Sequence, residues 1–110
     1  MIDWLRLSEL RQEIGEADFF EVVDLFLEEV DEIIDRLRHV PDPTQLEQNM
    51  HFLKGSALNL GFEHLSNLCA TYERNAAEGK LKEVNPREVI AVYAASRREL
   101  LTSFRSLAAA

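Results

Sequence analysis

The chain has 110 residues, 46% of them hydrophobic and 29% charged, with a formal net charge of −8. That length fits one compact domain with its own core, so residues 1–110 read as a single domain that needs no metal or disulfide staple. The negative charge argues against nucleic acid as a partner, because backbone phosphates are held by Lys/Arg clusters.

The single cysteine, Cys69, excludes an intramolecular disulfide and suits a reducing compartment. No apolar run approaches the roughly 20 residues that cross a bilayer. The N-terminus, MIDWLRLSEL, lacks the basic flank and apolar core of an export signal. The expectation is a cytoplasmic protein with no membrane contact. It begins at Met1 without a long linker and reads as free-standing, although an excised domain would look the same.

Strand-like alternation and internal repeats are absent, and Pro and Gly fall almost entirely at what read as helix ends. The first helix is predicted over Trp4–Ile14, ending at Gly15 as the residue beyond its last turn. Asp18, with Glu21 three residues later, resembles a capping box and predicts the start of a second helix. That helix carries Phe19, Val22, Val23, Phe26, Val30, Ile33, Ile34 and Leu37 at helical spacing. Its acids, over 21–35, read as a solvated face that contributes to the long-range field and holds no ligand. His39 at its end suits the negative pole of the helix dipole.

Val40-Pro41-Asp42-Pro43 breaks the chain, with Asp42 as N-cap and Pro43 at the first position of a third helix reaching Leu60. Gly61 stops or bends it. A fourth helix, predicted over 62–78, places Leu65, Leu68, Cys69, Tyr72 and Ala76 on one stripe and ends at Gly79. Cys69 reads as a small buried hydrophobe and His64 as a surface residue. Asn85-Pro86, with Glu88 at the third position, starts a last helix over 86–107 that turns Val89, Tyr93, Leu100, Phe104 and Leu107 inward. Four long amphipathic helices with short connections predict an all-α, up-down-up-down antiparallel four-helix bundle over about 18–107, with the short extra N-terminal helix across one end. Its apolar stripes are used internally, so a monomer is expected.

The third helix holds the candidate site. Its core stripe is Leu46, Met50, Leu53, Ala57 and Leu60. At about 100° per residue, His51 lies roughly 140° from the centre of that stripe and should face solvent. Lys54 and Gly55 follow three and four residues later, so both neighbour it on the same surface. A lysine there places a mobile ammonium where a phosphoryl group on the imidazole would hold its oxygens. Glycine inside a helix costs about 1 kcal/mol relative to alanine, and an outward-facing one leaves bare backbone for the close approach of a partner. Leu58 shares this face, as would Phe62 if the helix continued, and an apolar patch around the imidazole suits docking. An exposed histidine is ordinarily only solvated, and a lone lysine or glycine carries no message. Their joint spacing does.

His51-x-x-Lys54-Gly55-Ser56, followed by Asn59-Leu60-Gly61, closely resembles the signature of the histidine-containing phosphotransfer (HPt) family. More loosely, 15–30 is similar to the family's second helix, and Leu65-x-x-Leu68-Cys69 with Tyr72-Glu73 to its fourth. The resemblance implies a phosphorelay protein of two-component signal transduction. In it His51 would become phosphohistidine by accepting phosphate from the aspartyl phosphate of a receiver domain, or occasionally from a sensor or hybrid histidine kinase. Another receiver of a response regulator would then take it. The resemblance gives Lys54 the task of steadying the phosphoryl group and Gly55 that of leaving room. Where yeast and plant members place a glutamine that bonds the imidazole, this chain has Glu73. A carboxylate there would fix the tautomer and favour a more basic ring; Glu47, one turn before His51, competes for the task.

Phosphoryl transfer asks for in-line approach and charge stabilisation, with little covalent work by the protein. The sequence shows no P-loop and no carboxylate cluster for Mg²⁺ near His51. Mg²⁺ is therefore expected from the receiver, and no cofactor or autonomous ATP-dependent kinase activity from this chain. Two rivals bear on this reading. Di-metal bundles use Glu-x-x-His pairs facing the core, and the sequence contains none, so no metal site is expected. An HPt-like adaptor that binds a kinase or receiver without carrying phosphate would be expected to lack the histidine or lysine, and this chain keeps both.

Overall fold

The computed structural model of the chain describes residues 1–39 and 42–109, with side chains through residue 104. Its described residues form five α-helices and no strand: α1 (Trp4–Ile14), α2 (Glu16–His39), α3 (Leu46–Leu60), α4 (Glu63–Ala77) and α5 (Pro86–Ala109). Short 3₁₀ turns at Pro43–Gln45 and Leu81–Glu83 lead into α3 and follow α4. No helix among the described residues is long and apolar enough to cross a membrane.

The helix ends follow from local chemistry. Asp3 caps α1, its carboxylate accepting from the Arg6 amide at 3.2 Å. Asp42 accepts from the Thr44 amide, so it caps the 3₁₀ turn that precedes α3 rather than α3 itself. Asn85 accepts from the Arg87 amide at the start of α5. Val40, Pro41 and the side chain of Leu107 lie outside the described set.

One predicted start is corrected. Helix α2 begins at Glu16, so Asp18 lies within its first turn and forms no capping box with Glu21. Gly15, at φ +95°, ends α1 and is followed directly by α2, and an Arg11–Glu16 ion pair clamps the joint. Acids in that first turn still favour the helix, because they face its positive pole.

Helix α2 packs on α3 and α5, and α4 on the same two, so these four helices surround a common core. Val23, Met50, Leu53, Leu60, Cys69, Val89 and Leu100 are fully buried within it. Burying a side chain of this size contributes about 1.5–3 kcal/mol. Leu27, which the sequence reading left off the α2 stripe, is buried too. Helix α1 lies against α2 and α3. The segment before it crosses the α3–α4 turn, where the Asp3 amide donates to the Gly61 carbonyl at 2.6 Å and the Glu63 amide to the Met1 carbonyl at 3.1 Å.

Polar groups pin the last helix to two others. Tyr72 on α4 donates to the Glu88 carboxylate on α5 at 2.6 Å. Burial, then Glu88, pushes its phenol up to about 12. Glu88 thus braces α4 instead of closing a box at its own helix start. Tyr93 on α5 donates to Asp31 on α2 at 2.5 Å, and burial followed by that carboxylate raises its pKa as well.

Candidate functional site

Met50 and Leu53 are fully buried and fix the rotation of α3, which turns the residues between and beyond them outward. His51 is 69% exposed at its side chain. Its Nδ1 lies 2.7 Å from one carboxylate oxygen of Glu73 on α4. The other oxygen of Glu73 accepts from Lys54 Nζ at 2.6 Å. One carboxylate therefore bridges the imidazole and the ammonium, and it ties α3 to α4 at the same time.

Glu73 can do this because Tyr72 and Cys69 face the core, leaving the next position at the α3 side of α4. Its side chain is 21% exposed. The Lys54 hydrogen bond holds the carboxyl below its ordinary value of 4.5; burial opposes this and the His51 contact adds to it. A lowered pKa means that Glu73 stabilises the fold above its unfolded pKa, and that this contribution fades as pH falls through the folded one. The stability difference between the native protein and Glu73→Gln should therefore shrink as pH falls below about 4.5. Urea unfolding from pH 5 to 3 checks this; a difference that grows over that range contradicts the bridge.

The bridge also settles the imidazole chemistry. An ionised carboxylate only accepts, so Nδ1 carries the proton it donates to Glu73. In the neutral ring, Nε2 then holds the free lone pair on the solvent side. The arrangement presents an oriented nitrogen lone pair with a cation nearby on the same carboxylate.

Glu47, the other carboxylate considered for this task, is exposed and makes no hydrogen bond or ion pair among the described residues. Gly55 is exposed, and a Cβ built on it meets nothing within 4 Å, so its surroundings are open. Leu58 is 55% exposed on the same side of α3, two turns beyond His51. Phe62 is not on this face. Gly61 adopts a left-handed conformation that ends α3 and redirects the chain, and Phe62 is driven into the core at 0% exposure, tilted against Tyr93. Extending the helical phase of α3 past Gly61 was the error.

Phe52, Trp4 and Leu5 are apolar and exposed, and the sequence reading did not single them out. Leu5 joins Leu58, Arg6 and Asn59 along a groove of about 500 Å³ between α1 and the α3–α4 turn, where Arg6 donates to Asn59 at 3.2 Å. The signal was available: Leu7 and Leu10 mark the buried side of α1, and Leu5 falls off that stripe.

The remaining candidates stay apart. His39 is exposed at the end of α2, its Nδ1 3.0 Å from the Asp35 carbonyl. His64 is exposed in the first turn of α4. Cys69 is buried, and burial, then the Glu73 charge, raises its thiol pKa to about 12. No group of three or more His, Cys, Asp or Glu side chains is gathered for a metal among the described residues.

No curated protein and no solved structure matches this chain. The family model of the Hpt domain does match, over residues 21–108, from within α2 through α5 and including the His51–Glu73–Lys54 bridge. The chain belongs to the Hpt domain family.

Proposed function

We propose that this protein carries a phosphoryl group on Nε2 of His51, taking it from the aspartyl phosphate of one receiver domain and delivering it to another. Hpt domains serve phosphorelays and interact with receivers and kinases. The observation that carries the reading is the Glu73 bridge, which leaves Nε2 free and exposed with Lys54 alongside. The frame is an up-down-up-down bundle of α2 to α5. His51 and Glu73 meet at about equal distances along α3 and α4 from the turn at Gly61, and Tyr72 meets Glu88 beside the α4–α5 connection, which supports opposite directions for these successive pairs.

Each residue has a task. Nε2 attacks phosphorus in line. Lys54 has two further N–H donors beyond the one given to Glu73, and these steady the phosphoryl oxygens. Gly55 lets the receiver's backbone approach, and Leu58 with Phe52 supplies apolar docking surface. The receiver brings Mg²⁺ and most of the charge stabilisation, so the protein alone does not consume ATP.

The test is incubation with a phosphorylated receiver and Mg²⁺. Acid-labile, alkali-stable phosphate should appear on this protein and then pass to a second receiver. A stable complex without transferred phosphate would make it an adaptor and end this reading.

Gly55→Gln separates docking from folding. The added side chain meets open space, so the helix gains up to about 1 kcal/mol of propensity. Transfer should nevertheless slow about tenfold, the equivalent of about 1.4 kcal/mol, through weaker receiver binding. Unchanged transfer with retained helicity would refute the close-approach role.

A further inference from the structure

We propose that the groove between α2 and α5, across the bundle from His51, is a docking surface for a second copy of this chain. The product is a weak two-fold dimer whose two His51 side chains both face outward. The inference goes beyond the phosphoryl reading and does not rest on it. The expectation of a monomer counted only the apolar stripes that face the core, and this groove lies outside them.

Three depressions of about 520, 520 and 310 Å³ follow one another between α2 and α5. Arg38 and Ile90 line both the first and the second, and Ala94 and Arg97 both the second and the third. They therefore join into one groove. Its floor is partly apolar, with Ile90, Ala94 and Leu101 contributed by α5. At one end Phe20, 40% exposed, stands edge-on to Phe104 with ring centroids 4.8 Å apart. Helix α2 packs on α3 and α5, and α4 on the same two, so this groove and the α3–α4 face of His51 lie on opposite sides.

The two rims carry opposite charge. Asp24, Glu28, Asp31 and Asp35 recur along α2 at a spacing of four, three and four, so they share one side of the helix. Asp31 accepts from Tyr93 on α5, which places that side along the groove. Arg87, Arg97 and Arg98 follow the facing side of α5. Arg97 is engaged by Asp31 at 3.4 Å. Asp24, Glu28, Arg87 and Arg98 are exposed and form no ion pair among the described residues. A chain of net charge −8 repels its copy at long range, so association needs a face where opposite charges meet.

The register of the two helices makes the chain its own complement. Phe20 is level with Phe104 and Asp31 with Tyr93. In that antiparallel register Arg98 stands between the levels of Asp24 and Glu28, and Arg87 within a turn of Asp35. A two-fold axis laid along the groove, parallel to the helices, preserves every level. It sets α5 of each copy over α2 of the other. Arg98 then meets Asp24 and Glu28, Arg87 meets Asp35, and Phe20 comes within a turn of Leu101. Symmetry makes each of these contacts twice. An unrelated helix would need acids and bases in that same register, which the second copy carries already.

Sedimentation equilibrium of the full chain, from about 1 μM to 1 mM, covers the range of weak association. The native mass should climb towards twice the monomer value. Arg98→Glu turns two attractive contacts per dimer into repulsions and should raise the dissociation constant about tenfold or more. Glu28→Arg should do the same. Both substitutions in one chain restore opposite charges across every dimer and should return association to within about threefold of native. Salt at 1 M, where the Debye length falls to about 3 Å, should weaken the native dimer. Circular dichroism should show native helix content in all three variants. A native protein that stays monomeric to the highest concentration overturns the proposal. So does a dimer that Arg98→Glu leaves unchanged, or a double variant that fails to regain association. If no form takes phosphate on His51, the carrier reading falls alone, because the mass measurement does not depend on it.

Discussion

Substituting His51 with glutamine is expected to reduce acid-labile phosphorylation to background while leaving the fold in place. The chemistry has no second route. His39 and His64 are exposed, and His39 has the Asp35 carboxylate 3.1 Å from its Nδ1, but among the described residues neither has the bridging lysine that accompanies His51. Cys69 is buried with its thiol pKa raised to about 12, which removes it as a nucleophile at neutral pH. Glutamine offers a donor that still reaches Glu73, and the lost contact is solvent-screened. Such exposed pairs contribute about 0.2–1 kcal/mol, so unfolding should move by no more than that. Phosphate incorporation from a phosphorylated receiver, measured beside urea unfolding, checks both halves. Residual acid-labile phosphate on the variant would move the site to His39 or His64.

That separation of chemistry from stability follows from how α3 divides its labour. Leu46, Met50, Leu53, Ala57 and Leu60 hold the helix in the core, and none of them touches phosphate chemistry. His51, Lys54, Gly55 and Leu58 lie on the other side, exposed or half-buried. A histidine on a loop would pay more ordering entropy for the same in-line approach; here the packed helix has already restricted the backbone. The imidazole's remaining freedom is removed from across the helix pair by Glu73.

Much of this was legible in the residues themselves. Gly15, Asp42, Gly61 and Asn85-Pro86 mark helix ends because their conformational and capping preferences act over one turn, and each lies at or next to an end in the structure. The outward direction of His51 followed from five apolar residues in strict three–four spacing. Less local features resisted. The start of α2 was misplaced because Gly15 joins two helices without a spacer, something no capping pattern announces. Phe62 was assigned to the docking face by continuing a helical phase that Gly61 interrupts. The Glu73 contact spans 22 residues of chain, so no periodicity connects it to His51. The family resemblance put Glu73 forward, and spacing alone could not separate it from Glu47.

The turn that misled the assignment of Phe62 is also the place where a single methyl group should cost the most. Gly61 has φ +73°, and a Cβ added there would stand 2.5 Å from the backbone carbonyl oxygen of Asp3. That oxygen cannot swing aside as a side chain would. The Asp3 amide donates to the Gly61 carbonyl at 2.6 Å, its own carbonyl accepts from Leu7 at 3.2 Å, and the neighbouring Ile2 is buried. Gly61→Ala therefore meets two costs at once. The left-handed conformation costs a non-glycine residue about 1–2 kcal/mol. The clash adds the release of the N-terminal segment, for a total of about 2–4 kcal/mol. In a chain of this size that lowers the melting temperature by roughly 10 °C or more. Gly79→Ala is the matched comparison: Gly79 has φ +76°, close to that of Gly61, but nothing lies within 4 Å of its added Cβ, so it should lose only the conformational part. Below its melting temperature, Gly61→Ala should still accept phosphate on His51, since the bridge to Glu73 forms further along α3 and α4. Thermal unfolding of both variants by circular dichroism decides the matter. If they lose equal stability, the packing of the N-terminal segment over the α3–α4 turn is not what makes Gly61 necessary.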